Sequence, residues 1–416
     1  MRRGSERLSP SIAEQRKHVK ALLRLHGEVE REVYLDLENS GLIFPEALDA
    51  MFEAYRSCGH PSITHKLGWR GYDVILEAEE NLRKLINVDG GDIVFTHSGT
   101  EANNLAIIGL AKAKPSRKKI VYSAIEHLSV KFPAESLQEL GFKVEEIPVN
   151  EEGFVNLDKF SDLIDKDTLL VSIAAVNHEI GTIQDLKAVI EIVKDKDPEI
   201  IVHTDACDAL GRIRLDFSKL EVDMASFSSH KVYGPRGAGA LYKREGIELK
   251  PILHGQLSSQ TLWPGVENVP ALAGFAKALE ILERNFDAYR EKMRKLRDML
   301  IEGATSSLDE VFLNGPKGDK RAPDNVNLSF LRCEGEALTV ELSLRGVYVS
   351  SGSACTSRVL EPSHVLIGIG RPYEMAHGSI LMKTSPMHDE EDIRYAVEQI
   401  IEAVNRIRSL APREVK

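Results

Sequence analysis

Short apolar runs alternate with longer segments of helical periodicity between residues 92 and 242. The apolar runs predict strands at Asp92–Thr96, Lys119–Ser123, Lys143–Ile147, Leu169–Val176, Ile200–Asp205, Val222–Phe227 and Gly237–Tyr242. The segments between them predict helices, including a long one that begins at Ala102. Continuous apolar strands separated by helices are typical of a sheet that is covered on both faces. The pattern therefore predicts an α/β domain with a mostly parallel sheet.

The pattern changes on both sides of this region. Residues 9–31 predict a charged, solvated helix. After it the pattern predicts a short strand and then a helix that begins at Pro45. Beyond Phe286 the pattern predicts helices at Tyr289–Glu302, Glu334–Leu344 and Asp389–Ser409, and strands at Asn325–Leu331 and Gly346–Ser350. We therefore expect an N-terminal arm and connecting segment over residues 1–45, a large domain over 46–285 and a small α+β domain over 286–416, which the N-terminal segment completes.

Composition narrows the class of protein. The 416 residues are 43% hydrophobic and 28% charged, which is ordinary for a soluble enzyme. A net charge of −11 leaves no broad basic surface for nucleic acid, and no apolar run is long enough to span a bilayer. The N-terminus lacks the apolar segment of a secretory signal. Four scattered cysteines without a Cys-x-x-Cys pair indicate no structural metal site and a reducing, cytoplasmic compartment.

Candidate chemical residues follow the predicted strands, at their C-terminal ends. They are Thr100, His127, Asn177, His178, Asp205, His230 and Lys231. Ligands of open α/β sheets bind in the crevice at that edge. The turn from His97 to Glu101 joins a strand to a helix N-terminus, where backbone N–H groups and the helix dipole favour phosphate. We therefore expect the active site at this edge.

Lys231 lies where an apolar strand meets a Gly/Pro turn, after Ser228 and His230. Burial lowers the pKa of a lysine, and only the neutral amine bonds to an aldehyde. A surface lysine in a loop is the alternative on this stretch alone. Asp205, however, ends another apolar strand. A carboxylate for a pyridine nitrogen and a lysine for an aldehyde are what pyridoxal 5′-phosphate (PLP) requires.

Several motifs occur in an order that resembles one known family. They are Gly99–Asn104, Glu126-His127, Asn177–Gly181, His203–Ala206, Ser228–Lys231 and Ser350–Cys355. With these motifs the chain resembles the cysteine desulfurases of the class V aminotransferase family, PLP-dependent enzymes of fold type I. The resemblance extends from about Tyr34 to the last helix. It implies an α/β PLP-binding domain with a smaller α+β domain, and a homodimer.

The resemblance also implies a role for each matching residue. Lys231 bonds to the cofactor aldehyde and moves the Cα proton, Asp205 pairs with the pyridine nitrogen, and His127 stacks on the ring. The phosphate is held at Gly99, Thr100, Ser228 and His230, and the site is completed by Asn177, His178 and Asp208. Cys355 takes sulfur from L-cysteine as a persulfide, releases L-alanine and passes the sulfur to an acceptor protein of iron–sulfur cluster assembly or tRNA thiolation.

The chain departs from the family at four places. His178 and Asp208 replace an Asn and a Gln near the PLP phenolic oxygen, and we expect them to pair with each other. Val266 replaces a Thr that reaches the partner's cofactor, and a glycine-rich run reads His254–Ser259. Leu381 replaces the Arg that binds the substrate carboxylate. Lys383 could supply the missing charge, although a solvent-facing lysine is the preferred interpretation.

Three functions remain open from the sequence: a cysteine desulfurase, another class V enzyme such as a selenocysteine lyase, and a weakly active PLP-binding scaffold. The complete Cys355 motif favours the cysteine desulfurase. Leu381, in place of the carboxylate-binding Arg, keeps the scaffold function open. The small residues around Cys355 predict a mobile loop with an accessible thiol. Cys58, Cys207 and Cys333 are expected to be structural.

Overall fold

The computed structural model describes residues 29, 31–256, 258–352 and 362–410. The strands are β1 (Val33–Tyr34), β2 (Asp92–Thr96), β3 (Lys119–Ser123), β4 (Lys143–Ile147), β5 (Thr168–Ser172), β6 (Ile201–Asp205), β7 (Met224–Ser228), β8 (Gly239–Lys243), β9 (Val311–Leu313), β10 (Asn325–Phe330), β11 (Val347–Tyr348), β12 (Ser350–Ser351) and β13 (Ser379–Lys383). The helices are α1 (Pro45–Ser57), α2 (Lys66–Ile86), α3 (Gly99–Ala113), α4 (Leu128–Ser136), α5 (Leu157–Leu163), α6 (Leu186–Lys196), α7 (Val269–Ser307), α8 (Gly335–Leu344), α9 (His364–Gly368), α10 (Tyr373–His377) and α11 (Glu390–Leu410).

The described chain divides into two compact units. The larger comprises Ser40–Lys292 and Gly315–Pro323, and the smaller comprises the residues up to Asn39, Met293–Asn314 and those from Asp324 onward. The longest helix, α7, has residues in both units. The domain boundaries expected at residues 45 and 285 stay a prediction.

The larger unit contains a seven-stranded sheet in the order β2-β8-β7-β6-β5-β3-β4. Strands β7, β6, β5, β3 and β4 run parallel, whereas β8 is antiparallel to both of its neighbours. The mostly parallel sheet predicted from the apolar runs is confirmed. Every residue of β3, β5, β6 and β7 is buried, which explains their continuous apolar character.

One strand is shorter than the apolar pattern predicts. The run Leu169–Val176 continues past Ser172, where β5 ends. Beyond that point Ala174 N donates to the Glu126 carboxylate at 2.7 Å, whereas Ile173 N and Ala175 N still donate to carbonyls of β6. A side chain thus replaces a strand partner on one side of the chain only. The residues remain buried and apolar, which is why the sequence alone predicts a longer strand.

The smaller unit contains a four-stranded antiparallel sheet in the order β12-β13-β10-β9. Strand β1 pairs in parallel with β11. Helix α11 buries Ile393, Ala396 and Ile400 in the core of this unit, which also contains Val326 and Leu328 of β10. The α+β character predicted for the C-terminal part of the chain is confirmed.

Two expectations fall outside the described residues: the charged helix over residues 9–31 and the loop that carries Cys355. Among the described residues, no helix is both long and apolar enough to cross a membrane.

Candidate active site

The C-terminal edge of the parallel strands brings the predicted residues of the larger unit together. Helix α3 begins at Gly99 and packs closely on the ends of β6 and β7. A Cβ at Gly99 would lie 2.6 Å from Cys207 Sγ and 3.2 Å from Ser228 Cβ. Only glycine permits this approach. The N-terminus of α3 therefore lies beside the turns that carry Asp205 and Lys231.

Lys231 lies in a single 3₁₀ turn, Ser229–Val232, directly after β7. The turn ends at Tyr233 in a left-handed conformation with φ of 62°. The buried Arg212 guanidinium donates to the Lys231 carbonyl at 2.9 Å. Lys231 Nζ lies 3.3 Å from Asp208 Oδ2, and the two side chains are only 9% and 6% exposed. The expected burial of Lys231 is confirmed, and a carboxylate accompanies it.

Asp205 ends β6, and both of its carboxylate oxygens accept hydrogen bonds. Asn103 Nδ2 donates to Oδ2 at 2.7 Å, and Cys207 N donates to Oδ1 at 3.0 Å. The side chain is buried. Donors to both oxygens fix the orientation of the carboxylate. Asp205 is thus held ready for a cationic or N–H partner.

His127 caps α4 and is oriented by Ser129. Ser129 N donates to His127 Nδ1 at 3.1 Å, and Ser129 Oγ lies 2.7 Å from the same nitrogen. Because Asn103 also donates to Ser129 Oγ at 2.8 Å, the serine proton is directed at Nδ1. These contacts make Nδ1 of the ring a hydrogen-bond acceptor. A single network therefore orients both His127 and Asp205 through Asn103.

His178 and Asn177 follow β5 in a buried turn. The His178 ring meets the His127 ring edge-on, with centroids 5.0 Å apart. Asn177 Nδ2 donates to Ile125 O at 2.8 Å, while Oδ1 accepts from Glu179 N and Ile180 N. The Asn177 side chain thus shapes the turn that presents His178. The expected bond between His178 and Asp208 stays a prediction.

Hydroxyl and amide donors that suit an anion lie at Ser228 and at the N-terminus of α3. Ser228 Oγ is 2.8 Å from His230 Nδ1. Thr100 is exposed in the first turn of α3, whose N-cap Ser98 accepts from Glu101 N at 3.2 Å. A helix N-terminus with adjacent hydroxyls suits a phosphate group.

These residues fit PLP by their chemistry. The turn of α3 with Ser228 and His230 could hold the phosphate, Asp205 the pyridine nitrogen, and Lys231 the aldehyde. The close approach at Gly99 brings these groups to one crevice.

Two of the described cysteines, Cys207 and Cys333, have buried thiols, whereas an accessible thiol is predicted for Cys355. Burial, and then the charge of Asp205, raises the pKa of the Cys207 thiol well above its ordinary value. Burial likewise raises the pKa of Cys333. Neither forms a reactive thiolate at neutral pH. The structural role expected for both is consistent with this burial, Cys58 is half-buried, and Cys355 lies outside the described residues.

In the smaller unit, Leu381 and Lys383 are two residues apart on β13 and therefore share one face. Lys383 Nζ lies 2.5 Å from Glu38 Oε2, and the two side chains are 2% and 8% exposed. The preferred interpretation of a solvent-facing lysine is therefore wrong. The sequence could not show this, because the partner carboxylate is distant along the chain. The pairing neutralises the charge that could have replaced the missing Arg.

Two further residues, Asn103 and Ser129, organise the site but received no role from the sequence. Asn103 lies inside the quoted Gly99–Asn104 motif, and Ser129 follows the Glu126-His127 motif. The available signal is the position of each polar residue in the first turns of a helix, because a buried polar group there needs a hydrogen-bond partner.

The comparisons with known proteins agree on one family. The family model described as Aminotransferase class-V matches residues 33–392. The curated protein "Cysteine desulfurase IscS 1" of Archaeoglobus fulgidus is 42% identical over 355 residues, covering 85% of this chain and 92% of that protein. A solved "NifS-like protein" superposes with a TM-score of 0.84 at 34% identity, over 90% of this chain and all of that one. A structure of SspA in complex with cysteine has a TM-score of 0.74 at 28% identity, covering 85% and 99%.

Glu126 should make stability depend on pH. Burial raises its pKa well above the ordinary value, the bond from Ala174 N opposes this, and the charge of Asp205 adds to it. The folded chain therefore keeps a proton that the unfolded chain loses above pH of about 4.3. Stability should fall as pH rises from there toward the folded pKa, and the penalty is complete above it. Urea denaturation should show Glu126→Gln gaining stability over wild type with rising pH.

The same substitution at exposed Glu398 is the control and should reproduce the wild-type pH dependence. A constant difference between Glu126→Gln and wild type across the pH series would contradict the assignment.

The buried pair of Lys383 and Glu38 should be sensitive to loss of one member. Lys383→Met removes the cation beside a buried carboxylate, so it should lower the free energy of unfolding by about 3–5 kcal/mol. The double variant Glu38→Gln/Lys383→Met should recover most of that loss in denaturant titrations. Lys295→Met, at an exposed pair with Glu390, should change the free energy of unfolding far less, because solvent screens that pair. A Lys383→Met cost no larger than that of the control would refute the buried pair.

Proposed function

The chain belongs to the class V aminotransferase family, and from this premise we propose that it is a PLP-dependent cysteine desulfurase that converts L-cysteine to L-alanine. Two observations carry the proposal: the buried Lys231, which is paired with Asp208, and the buried Asp205 carboxylate, whose two oxygens are held in place. The relatives named cysteine desulfurases and the cysteine complex of SspA support L-cysteine as the substrate.

The chain's own residues divide the work of cofactor binding. Thr100, the α3 N-terminus, Ser228 and His230 bind the phosphate, and Asp205 accepts from the pyridine nitrogen. His127, fixed by Ser129, stacks on the ring, and the turn at Asn177 presents His178 to it. PLP, when bound, supplies the electron sink for the carbanion that forms at the substrate Cα.

Two residues carry out the proton and sulfur transfers. The Lys231 amine takes the proton from Cα and later returns it to the substrate. The Cys355 thiolate attacks the cysteine sulfur, so that an S–S bond forms, the C–S bond breaks, and its electron pair goes to the carbon skeleton. Cys355 then carries a persulfide, alanine leaves, and an acceptor protein such as an iron–sulfur scaffold receives the sulfur. A reducing compartment such as the cytoplasm suits this thiol chemistry.

A second function, a PLP-binding scaffold of low activity, is favoured by one observation. Leu381 is buried and apolar where the family places the carboxylate-binding Arg, and Lys383 is paired with Glu38. Assay of alanine and sulfide from L-cysteine with added PLP distinguishes the two functions: comparable amounts of both support the desulfurase, and cofactor binding without turnover supports the scaffold. A selenocysteine lyase would consume selenocysteine in preference to cysteine.

We also propose a homodimer. Consecutive helices α1 and α2 and the loop between them expose large apolar side chains: Phe52, Tyr55, Ile63, Leu67 and Trp69. Val266, at the position expected to approach the partner's cofactor, is 65% exposed. Soluble monomers rarely expose so many large apolar groups in one region, so they support a self-association surface.

Cys355→Ser should abolish sulfur transfer while cofactor attachment persists. A hydroxyl is a far weaker nucleophile toward sulfur than a thiolate, so alanine and sulfide formation should fall at least ~100-fold. The visible absorbance of PLP attached to Lys231 should be retained. Cys207→Ser is the matched control, because its thiol is buried and protonated, and it should keep nearly wild-type sulfide release.

Wild-type turnover by Cys355→Ser would overturn the nucleophile assignment and favour a lyase that expels sulfur without a protein thiol. Loss of activity in Cys207→Ser with an intact fold would move the nucleophile to that residue.

Trp69→Glu should disrupt the dimer. The indole is 57% exposed in a region of exposed apolar groups, and a carboxylate there opposes burial between subunits. Light scattering should give a dimer mass for wild type and a monomer mass for the variant. Leu140→Glu, at a side chain 60% exposed on the turn before β4, is the control and should stay dimeric. A monomeric wild type would reject the dimer outright.

A further inference from the structure

Lys231 faces a carboxylate that takes no part in the proposed proton and sulfur transfers. Asp208 Oδ2 lies 3.3 Å from Lys231 Nζ, and the two side chains are among the least exposed charged groups of the site. Lys231 follows β7, whereas Asp208 lies in the turn after β6. Opposite charges at this distance stabilise each other strongly where water is excluded. The pairing therefore favours the ammonium form of Lys231.

The ammonium form is unreactive toward an aldehyde. The neutral amine attacks the carbonyl carbon, a C–N bond forms, and the carbonyl oxygen leaves as water. The proton that the ammonium gives up goes to solvent, and nothing is oxidised or reduced. A group that stabilises the ammonium therefore raises the pH at which Lys231 can bind an aldehyde covalently.

The other titratable or charged groups of the site are Asp205, Cys207, His127, His178, Arg212 and His230. Asp205 is bonded to Asn103 and to Cys207 N, and burial keeps the Cys207 thiol protonated. Arg212 donates to the Lys231 carbonyl, and His230 contacts Ser228. Ser129 N donates to His127 Nδ1. Substitution of Asp208 leaves the identity of all these side chains unchanged and removes the carboxylate that faces Lys231.

We propose that Asp208 is a positioning residue that holds Lys231 as an ammonium through their buried ion pair and so sets the pH threshold for covalent attachment of the cofactor aldehyde. This inference rests on the proposed function, because it takes Lys231 as the residue that bonds to PLP. It differs from a purely structural role, which would change stability without moving the threshold.

The test measures attachment of PLP to Lys231 as a function of pH. The full-length protein is stripped of cofactor and mixed with PLP, samples are reduced with borohydride, and the Lys231 adduct is measured by mass spectrometry. In Asp208→Asn the opposite charge is gone with little change of shape. The midpoint of the attachment rate should move to lower pH by about one to three units.

Asp208→Glu is the conservative variant, and it should keep the midpoint near the wild-type value because it keeps the charge. Asp165→Asn, at a half-exposed pair with Lys119, is the matched control and should leave the midpoint unchanged. Reductive methylation with formaldehyde and cyanoborohydride is a second measurement, because it detects the neutral amine of Lys231 without requiring PLP binding. The same downward shift of the Lys231 rate is expected there.

An unchanged or higher midpoint in Asp208→Asn by both probes would overturn the inference. Attachment at Lys231 with the predicted shift supports it even if no alanine or sulfide forms, a result that would reject the desulfurase activity alone. Absence of any Lys231 adduct in wild type would reject both.

Discussion

The buried carboxylate of Asp205 is the constraint on which the rest of the site depends. A charge at the end of a central strand is costly unless donors surround it. Asn103 and Cys207 N supply those donors, and the second amide proton of Asn103 goes to Ser129. Ser129 in turn fixes His127. The geometry of three elements, α3, α4 and the turn after β6, therefore follows from one carboxylate.

Close packing makes this network possible. Gly99 brings the first turn of α3 against Cys207 and Ser228, so Asn103 reaches across to Asp205. A larger residue at position 99 would displace the helix by a substantial part of a hydrogen-bond length, and the Asn103 bond would be lost. His203, one step inside the sheet, lies between Ser172 and Ser226, and burial lowers its pKa to about 4. The layer beneath the site thus stays neutral, and the charge is concentrated at the strand ends.

Much of the larger unit could be predicted because its strands are continuous apolar runs. Asp92–Thr96, Lys119–Ser123 and Lys143–Ile147 have the predicted bounds. Local patterns fail where a side chain replaces a strand partner, as Glu126 does at Ala174. They fail again where two distant residues meet. Nothing near Lys383 indicates Glu38, and nothing near Asp208 indicates that its carboxylate lies beside an amine. Asn103 and Ser129 were missed for the same reason.

Two of the positions at which the chain departs from the family, Asp208 and Leu381, are buried and differ in charge from the family residues. An isolated carboxylate at position 208 would raise the free energy of a buried site, whereas the opposite charge of Lys231 stabilises it. Glu38 and Lys383 likewise form a buried pair in the smaller unit, and Leu381 places an apolar side chain on the same strand face as Lys383. Pairing makes these buried charges compatible with the fold.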